Sequence, residues 1–306
     1  MASIQTYIIK FWFRHLNVFG NGDYNPQEIR SRSDKVGILA RARKGVQIAG
    51  VAAGSVPSEW LIPDGAPNDR ALLYIHGGAW MMGSANTHRA LVSRIAYASG
   101  IRTLLINYRL APEHPFPAGL EDCIEAYEWL VQNGFEANKI ILAGDSAGGN
   151  LTLALLVALR DADKPLPAGA ITLSPATDLA FTGNSLQTRL HLDPIFSGGG
   201  PTTIVQDYIT HHDPYEPLIS PLYADLQGLP PLLIHVGDYE ILLDDAVRFG
   251  NKAVAAGVDV KTVVWPEMFH VFQIWAPLLP EANRAIQQIA NFICSKLQTN
   301  MTQEGD

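Results

Sequence analysis

An α/β fold with a mostly parallel sheet and helices on both faces is predicted by two patterns in the sequence. Short, continuous apolar runs typical of buried parallel strands recur along the chain. They cover Ala71–Ile75, Arg102–Asn107, Ile140–Ala143, Ala170–Leu173, Leu232–Val236 and Val260–Val264. Helix-like stretches separate them, at Thr87–Ser99, Gly119–Gln132, Gly148–Arg160, Ile241–Ala256 and Glu281–Leu297. This alternation indicates β-α-β winding.

The composition is that of a globular protein with a large core. Of 306 residues, 47% are hydrophobic and 17% are charged, and this length fits one large α/β domain with insertions or two smaller domains. The 22 Lys and Arg are outnumbered by 30 Asp and Glu, which gives a formal charge of −8. Nucleic acid is therefore not expected as a partner. Cys123 and Cys294 lack metal-site spacing, so we expect buried free thiols.

Two segments interrupt the alternation and are interpreted as insertions on the sheet. One is the first fifty or so residues, and the other is residues 181–221, which contain Gly198–Gly200 and several prolines.

The N-terminal insertion begins with an unusually apolar run. Its large side chains are Ile8, Ile9, Phe11, Trp12 and Phe13. Because Lys10 and Arg14 interrupt the run and no small-residue cleavage site follows, neither a secretory signal nor a membrane span is predicted. An amphipathic helix that covers apolar surface is favoured, and peripheral attachment to a membrane is the alternative. We therefore expect a cytoplasmic protein without stable membrane insertion.

The strongest chemical signal is the run Gly144-Asp145-Ser146-Ala147-Gly148, which matches G-x-S-x-G between a strand and a helix. A nucleophile on a sharp strand-to-helix turn needs small neighbours two positions away on either side, because the backbone there is crowded. Ser146 would then lie at a helix N-terminus, where the N–H of Ala147 faces developing negative charge. The alternatives are an ordinary tight turn or a phosphate loop, but neither G-x-G-x-x-G nor Gly-Lys-Ser/Thr is present.

A second motif, His76-Gly77-Gly78-Ala79-Trp80, follows the strand Ala71–Ile75. Consecutive small residues let backbone N–H groups point into a site without side chains in the way. Alone the motif is weak, since Gly-rich turns are common. Together with a downstream serine turn, it predicts an oxyanion loop.

With these motifs, the chain resembles the hormone-sensitive-lipase-like family of bacterial α/β-hydrolase esterases, in its Gly-Asp-Ser-Ala-Gly branch. Further matches are Tyr108–Glu113, Phe116–Ala118, Ser174-Pro175, Ser220–Leu222 and Gly228–Pro231. The resemblance implies an eight-stranded, mostly parallel sheet with a helical cap. It divides the chain into cap segments 1–50 and 181–221 and a catalytic domain of residues 51–180 and 222–306.

The resemblance also implies that the N–H groups of Gly78, Ala79 and Ala147 bind the oxyanion. Gly77, the first glycine of the same loop, is counted with them as a residue of the oxyanion hole. Ala79 stands where the family usually has a third glycine. Because the donor is a backbone N–H, the role survives unless this position needs a positive φ.

The base is predicted to be His270, which follows the last strand in the chain order serine, acid, histidine. The chain has nine histidines. His76 belongs to the oxyanion loop, His211 and His212 lie in the second insertion, and His235 falls inside a predicted strand. Only His270 is on a loop in the right order, and its surroundings resemble the histidine loop of the family.

The acid has two candidates, Asp238 and Glu240, at the carboxyl end of the strand Leu232–Val236. The family usually has Asp-Pro-Leu-x-Asp here, with the first Asp as the catalytic acid. Aligning Leu242 and Asp244 with that pattern favours Glu240. A glutamate can orient a histidine as well as an aspartate, since the triad is defined by geometry.

The sequence thus predicts a serine carboxylesterase that needs neither a metal nor an organic cofactor. Its substrate is a small-molecule ester with an acyl chain on the order of two to eight carbons, or a lactone. Trp80, Met82, Phe196 and Tyr208 are candidates for the substrate pocket, although each can equally belong to the cap core. The alternatives are an amidase, peptidase or acyltransferase with the same triad, and a non-catalytic ligand-binding homologue. A homodimer through an exposed edge strand is also open.

Overall fold

The computed structural model describes residues 2–16, 25–39, 41–196 and 202–298; the predicted Gly198–Gly200 lie outside this part of the chain. Its strands are β1 (Val46–Ala53), β2 (Val56–Pro63), β3 (Ala71–Ile75), β4 (Thr103–Ile106), β5 (Ile140–Asp145), β6 (Gly169–Leu173), β7 (Leu232–Gly237) and β8 (Val260–Trp265). Its α-helices are α1 (Ile4–Leu16), α2 (Pro26–Leu39), α3 (Ala85–Ser99), α4 (Ala118–Gln132), α5 (Ala147–Asp161), α6 (Ser185–Thr188), α7 (Thr202–Ile209), α8 (Leu243–Ala255) and α9 (Pro280–Leu297).

The strands form one eight-stranded sheet in the order β1-β2-β4-β3-β5-β6-β7-β8. β2 runs antiparallel to both β1 and β4, and every other neighbouring pair is parallel. The predicted α/β class, the six predicted strands and the five predicted helices are confirmed. β1 and β2 were not predicted, because β1 overlaps the end of the first predicted insertion and because Pro57, Ser58 and Glu59 interrupt the apolar residues of β2.

The sheet is covered on both faces. Leu73 and Ile75 of β3 contribute to the core under α4, α5 and α8, whereas Leu72 and Tyr74 contribute to the core under α3 and α9. All residues of β3 are therefore buried. A strand that is covered on both faces must be apolar at every position, which is why β3 was readable in the sequence. Both cysteines are buried and free, as predicted.

The insertions contact loops at the carboxyl edge of the sheet. Arg30 of α2 donates from Nε to the carbonyl oxygen of Met81 at 2.6 Å and from Nη2 to that of Ala111 at 2.6 Å. In the second insertion, Asp193 accepts from the N–H of Ile241 at 3.0 Å. β1 begins at Val46, so the sheet starts within the first predicted cap segment. The division into cap and catalytic domain stays a prediction.

Helix α1 rests on the protein through a mixed side that contains Thr6, Ile9, Lys10 and Phe13. Thr6 and Lys10 are buried, and Phe13 packs against Phe269 and Trp275. The other large apolar side chains, apart from Ile9, point outward; they are Ile4, Tyr7, Ile8, Phe11 and Trp12. The expectation that the apolar run covers protein surface is wrong for Ile8, Phe11 and Trp12, whereas Ile9 and Phe13 do pack against the core. None of the described helices is both long and apolar enough to cross a membrane.

Candidate active site

Four loops at the carboxyl edge of the parallel strands converge on one place. The oxyanion loop follows β3, Ser146 follows β5, Glu240 follows β7 and His270 follows β8. This edge is where α/β proteins place ligands and reacting groups, because the carboxyl ends of parallel strands lie side by side. Residues more than 120 positions apart in the sequence are thereby brought within hydrogen-bonding distance.

Ser146 occupies a strained turn between β5 and α5, with φ of 53° and ψ of −118°. A Cβ atom on Gly148 would collide with the carbonyl oxygens of Ile75 and His76, and one on Gly144 would collide with the carbonyl of Gly148. Both glycines are therefore required by space. The sharp turn raises the hydroxyl above the sheet, as its sequence predicts.

A chain of two hydrogen bonds connects Ser146, His270 and Glu240. His270 Nε2 lies 2.9 Å from Ser146 Oγ, and His270 Nδ1 lies 2.8 Å from Glu240 Oε2. The other carboxylate oxygen of the fully buried Glu240 accepts from the Ser174 hydroxyl at 2.8 Å and from the N–H of Gly237. These are the contacts that a nucleophile, its base and an orienting acid require.

Asp238, the alternative acid, points elsewhere. Its Oδ1 accepts from the N–H of Glu267, and among the described residues it makes no hydrogen bond to His270. Burial raises its pKa, although the N–H of Glu267 acts against that shift. Asp238 therefore fixes the start of the loop that carries His270 and does not touch the imidazole.

The oxyanion loop presents two of its N–H groups without a protein acceptor. The N–H of Gly77 donates to Asp145 Oδ1 at 3.1 Å, which holds the loop in place. Within the described ranges, no protein acceptor is found for the N–H groups of Gly78 and Ala79, or for that of Ala147 at the start of α5. Gly78 has φ of 124° and Ala79 has φ of 53°. Position 79 therefore does need a positive φ, the condition under which the donor role was in doubt; the alanine adopts it at a cost of about 1 kcal/mol, and its N–H is still without a protein acceptor in the described residues.

Comparisons with known proteins decide the family. A model for the α/β hydrolase fold matches residues 72–274. The chain belongs to the α/β hydrolase family. It is 44% identical to an acetyl-hydrolase of Streptomyces hygroscopicus over 243 residues, which cover 79% of this chain and 81% of that relative. It is 37% identical to an esterase of Acinetobacter venetianus over 271 residues, which cover 88% and 89% of the two chains.

Solved structures place this hydrolase more narrowly. An esterase from the bacterial hormone-sensitive lipase family superposes with a TM-score of 0.91 at 40% identity and covers 97% of this chain and 99% of the other. EstE5, in a crystal soaked with p-nitrophenyl butyrate, superposes with a TM-score of 0.93 at 39% identity, over 97% and 100% of the two chains. The protein is a carboxylic ester hydrolase of the hormone-sensitive-lipase-like group.

The charge of Glu240 controls the electrostatics of His270 in this esterase. Burial, the largest single influence, lowers the pKa of His270, but the hydrogen bond and charge of Glu240, together with the charges of Asp193 and Asp145, raise the pKa above its ordinary value. Two other buried carboxyls lie nearby. Burial raises the pKa of Asp193 to about 6 and that of Asp245 to about 7. A protonated His270 cannot take the serine proton, so its pKa sets the acid limit of activity.

This shift predicts the acid side of the pH profile. We expect kcat/KM for p-nitrophenyl butyrate to fall about tenfold per pH unit below a midpoint higher than about 6.5, the ordinary histidine pKa. The sign follows because activity needs neutral imidazole, and a raised pKa keeps the imidazole protonated to a higher pH. A stopped-flow profile from pH 5 to pH 9 in buffers of constant ionic strength measures this limb. A midpoint well below the ordinary value would contradict the effect of Glu240.

The cavity above Ser146 is small and mostly apolar. It has a volume of about 30 Å³, and its lining includes Trp80, Phe196 and Leu242. Phe196 also stands edge-on to the ring of His270, with centroids 5.2 Å apart.

Two of the four residues predicted for the substrate pocket do not line this cavity. The ring of Tyr208 stacks on the far side of Trp80, with ring centroids 4.6 Å apart. Met82 also lies away from this cavity, with its sulfur 4.0 Å from the hydroxyl of Ser33 in α2.

Two residues that support the site were not identified from the sequence. The Ser174 hydroxyl donates to Glu240 and accepts from the N–H of Val271 at 3.2 Å, so it connects the acid loop to the histidine loop. The motif Ser174-Pro175 matches the family, but the sequence alone assigns no role to its serine. Asp193 accepts from the N–H groups of Ile195 and Ile241, which ties the second insertion to the acid loop. No local pattern marks this role of Asp193, because Ile241, the partner in the acid loop, lies 48 positions away in the sequence.

Proposed function

We propose that this esterase hydrolyses short- to medium-chain acyl esters with Ser146 as nucleophile, His270 as base and Glu240 as acid. The observation that carries the proposal is the continuous hydrogen-bonded chain from Ser146 Oγ through His270 to Glu240, at 2.9 and 2.8 Å. Asp238, the other candidate acid, has no such contact with His270.

The geometry supports a double-displacement reaction. Ser146 Oγ attacks the ester carbonyl carbon while His270 Nε2 takes its proton, and the N–H groups of Gly78, Ala79 and Ala147 stabilise the oxyanion. The C–O bond to the alcohol then breaks, and His270 returns the proton to the leaving oxygen. Water, deprotonated by His270, attacks the acyl-enzyme, and the carboxylic acid leaves with Ser146 restored. Throughout, Glu240 stabilises the imidazolium and keeps Nδ1 protonated.

The substrate range rests on the cavity and on what is known of relatives. The space above Ser146 is only about 30 Å³ and is closed in by Phe196 and Leu242, which favours a small acyl group over a long one. One relative is named an acetyl-hydrolase, and EstE5 was soaked with p-nitrophenyl butyrate.

The cap is the second part of the proposal. We place it in residues 1–45 and 181–221, since β1 begins at Val46. Action in the cytoplasm and assembly as a homodimer stay predictions.

A chain-length series tests this range. With p-nitrophenyl acetate, butyrate, octanoate and palmitate, we expect kcat/KM to be at least about 100-fold higher for butyrate than for palmitate, because a small pocket discriminates by size. Phe196→Ala removes one wall of the cavity and is expected to narrow that ratio. The exposed Tyr215→Ala is the matched control and should leave the ratio unchanged. Equal rates for butyrate and palmitate in the wild type would refute the short-chain assignment.

A further inference from the structure

We propose that one surface of this protein docks onto a lipid surface that carries anionic headgroups. The docking surface combines the outward stripe of α1 with a neighbouring group of cations, of which only Arg284 has a carboxylate contact among the described residues. The stripe consists of Ile4, Tyr7, Ile8, Phe11 and Trp12, and the cation cluster consists of Arg41, Arg43, Lys44, Arg94 and Arg284. The proposal goes beyond ester hydrolysis, since it concerns binding and uses no residue of the triad.

The stripe follows one side of α1 at spacings of three and four residues, and its members are 50 to 76% exposed. An amphipathic helix on a globular protein normally buries that side. In α1 the buried side is mixed, with Ile9 and Phe13 packed against the core, and polar contacts help to fix the orientation that leaves the stripe outside. Ser3 donates through its N–H to Glu281 at 2.8 Å, Lys10 Nζ donates to the carbonyl of Glu267 at 3.0 Å, and Lys10 Nζ also lies 4.0 Å above the ring of Tyr239. A contiguous apolar stripe held outward in this way marks an interaction surface.

The cation cluster surrounds a cavity of about 840 Å³ whose lining, among the described residues, contains no Asp or Glu. Elsewhere, arginines pair with carboxylates at 2.5 to 2.9 Å; these are Arg30, Arg32, Arg70, Arg89, Arg109, Arg160 and Arg248. Within the cluster, the described part of the chain offers only one carboxylate contact, at 3.6 Å between Arg284 and Glu281. The chain as a whole has a formal charge of −8, so the positive charge of this cluster contrasts with the rest of the protein.

Arg94 shows that the positive charge of the cluster is not compensated. Its Nε is buried without a hydrogen-bond acceptor in the described residues. Its pKa is lowered by burial and by the charge of Arg43, whose guanidinium lies 4.5 Å from the ring centre of Tyr97. Two guanidinium groups held together without a counter-ion repel each other. An anionic group in the cavity would relieve that repulsion.

The stripe and the cation cluster adjoin at Glu281. Its carboxylate accepts from Ser3 at the start of α1 and lies beside Arg284 of the cluster. Between them, Pro277 lines the cavity while Leu278 is 65% exposed. Apolar and aromatic side chains next to cations are the composition of surfaces that bind anionic membranes. A soluble anion would leave the stripe unused, and a symmetric contact with a second copy would set the cations of both protomers against each other.

Vesicle sedimentation tests the proposal. The full chain is mixed with vesicles of phosphatidylcholine alone or of phosphatidylcholine with phosphatidylglycerol, at low and high salt. We expect binding to the mixed vesicles to be at least about tenfold tighter and to weaken with salt, since cations near an anionic surface are attracted to it and salt screens that attraction. The double variants Ile8→Ser/Trp12→Ser and Arg41→Glu/Lys44→Glu should each lose at least about tenfold in affinity for the mixed vesicles.

The matched controls are Val254→Ser, an exposed apolar side chain on α8, and Lys261→Glu, an exposed cation on β8. Both should bind vesicles like the wild type, and thermal unfolding should show that all variants are folded. Absence of wild-type binding to mixed vesicles would overturn the proposal, as would variants that bind unchanged. It would also be overturned if inorganic phosphate alone occupied the cluster, or if a dimer that depends on Ile8 and Trp12 formed, without vesicle binding.

Discussion

Ser146→Ala is expected to lower kcat/KM for p-nitrophenyl butyrate by at least about 10⁴-fold, the order found when a triad nucleophile is removed. The variant keeps His270, Glu240 and the oxyanion N–H groups but has no oxygen 2.9 Å from His270 Nε2 to attack the ester. Initial rates at several enzyme concentrations measure the loss. Any residual rate should come from water attack within the oxyanion site.

The fold should survive this substitution, because alanine fits the space of serine and the Ser146 hydroxyl caps no N–H group of α5. Matching circular dichroism and thermal unfolding confirm that the variant is folded. Ser295→Ala on the exposed face of α9 is the matched control, and it should keep full activity. Ser146→Ala with more than a tenth of wild-type activity would show that another group is the nucleophile.

Glu240→Gln is expected to lower kcat by about 10⁴-fold, comparable to amide replacement of a triad acid. Ser174 and Gly237 both donate to Glu240 Oε1, so the amide oxygen of glutamine is needed there. The amide NH₂ then faces His270 Nδ1 and makes that nitrogen an acceptor. The proton moves to Nε2, which can no longer accept the proton of Ser146. The same assay of kcat and KM should show KM nearly unchanged.

Asp238→Asn is the matched control for the acid. The asparagine oxygen can still accept from the N–H of Glu267, and Asp238 does not contact His270. Activity should therefore stay within about threefold of the wild type, the usual scale for a surface change of this kind. If Asp238→Asn abolishes activity and Glu240→Gln retains it, the acid has been assigned to the wrong carboxylate.

Strands could be predicted from the sequence wherever helices cover both faces of the sheet. β3 and β5 are apolar at nearly every position, because α3 and α9 pack on one face while α4, α5 and α8 pack on the other. β1 was not predicted because it overlaps the first predicted insertion, and β2 was not predicted because Pro57, Ser58 and Glu59 interrupt its apolar residues. The side of α1 that faces the protein could not be predicted either, because an amphipathic pattern alone does not determine which side is buried.

The site was predictable as far as its chemistry is local. The serine turn leaves no room for a Cβ atom at Gly144 or Gly148. Both positions belong to the same five-residue motif, so the turn could be predicted from that motif alone. The choice between Asp238 and Glu240 rested on a resemblance, and the structure shows only Glu240 hydrogen-bonded to His270. Ser174 and Asp193 join loops that are far apart in the sequence. No short motif encodes such contacts, since they depend on how the loops pack.

The central claim is that Ser146 carries the acyl group between the two displacement steps, and trapping that intermediate tests it most directly. Wild-type enzyme turning over p-nitrophenyl butyrate is quenched in acid and digested, and the peptides are analysed by mass spectrometry. We predict a butyryl group on Ser146 in the wild type and none in Ser146→Ala. A butyryl group on another residue, or full turnover with no acylated peptide at any quench time, would contradict the mechanism.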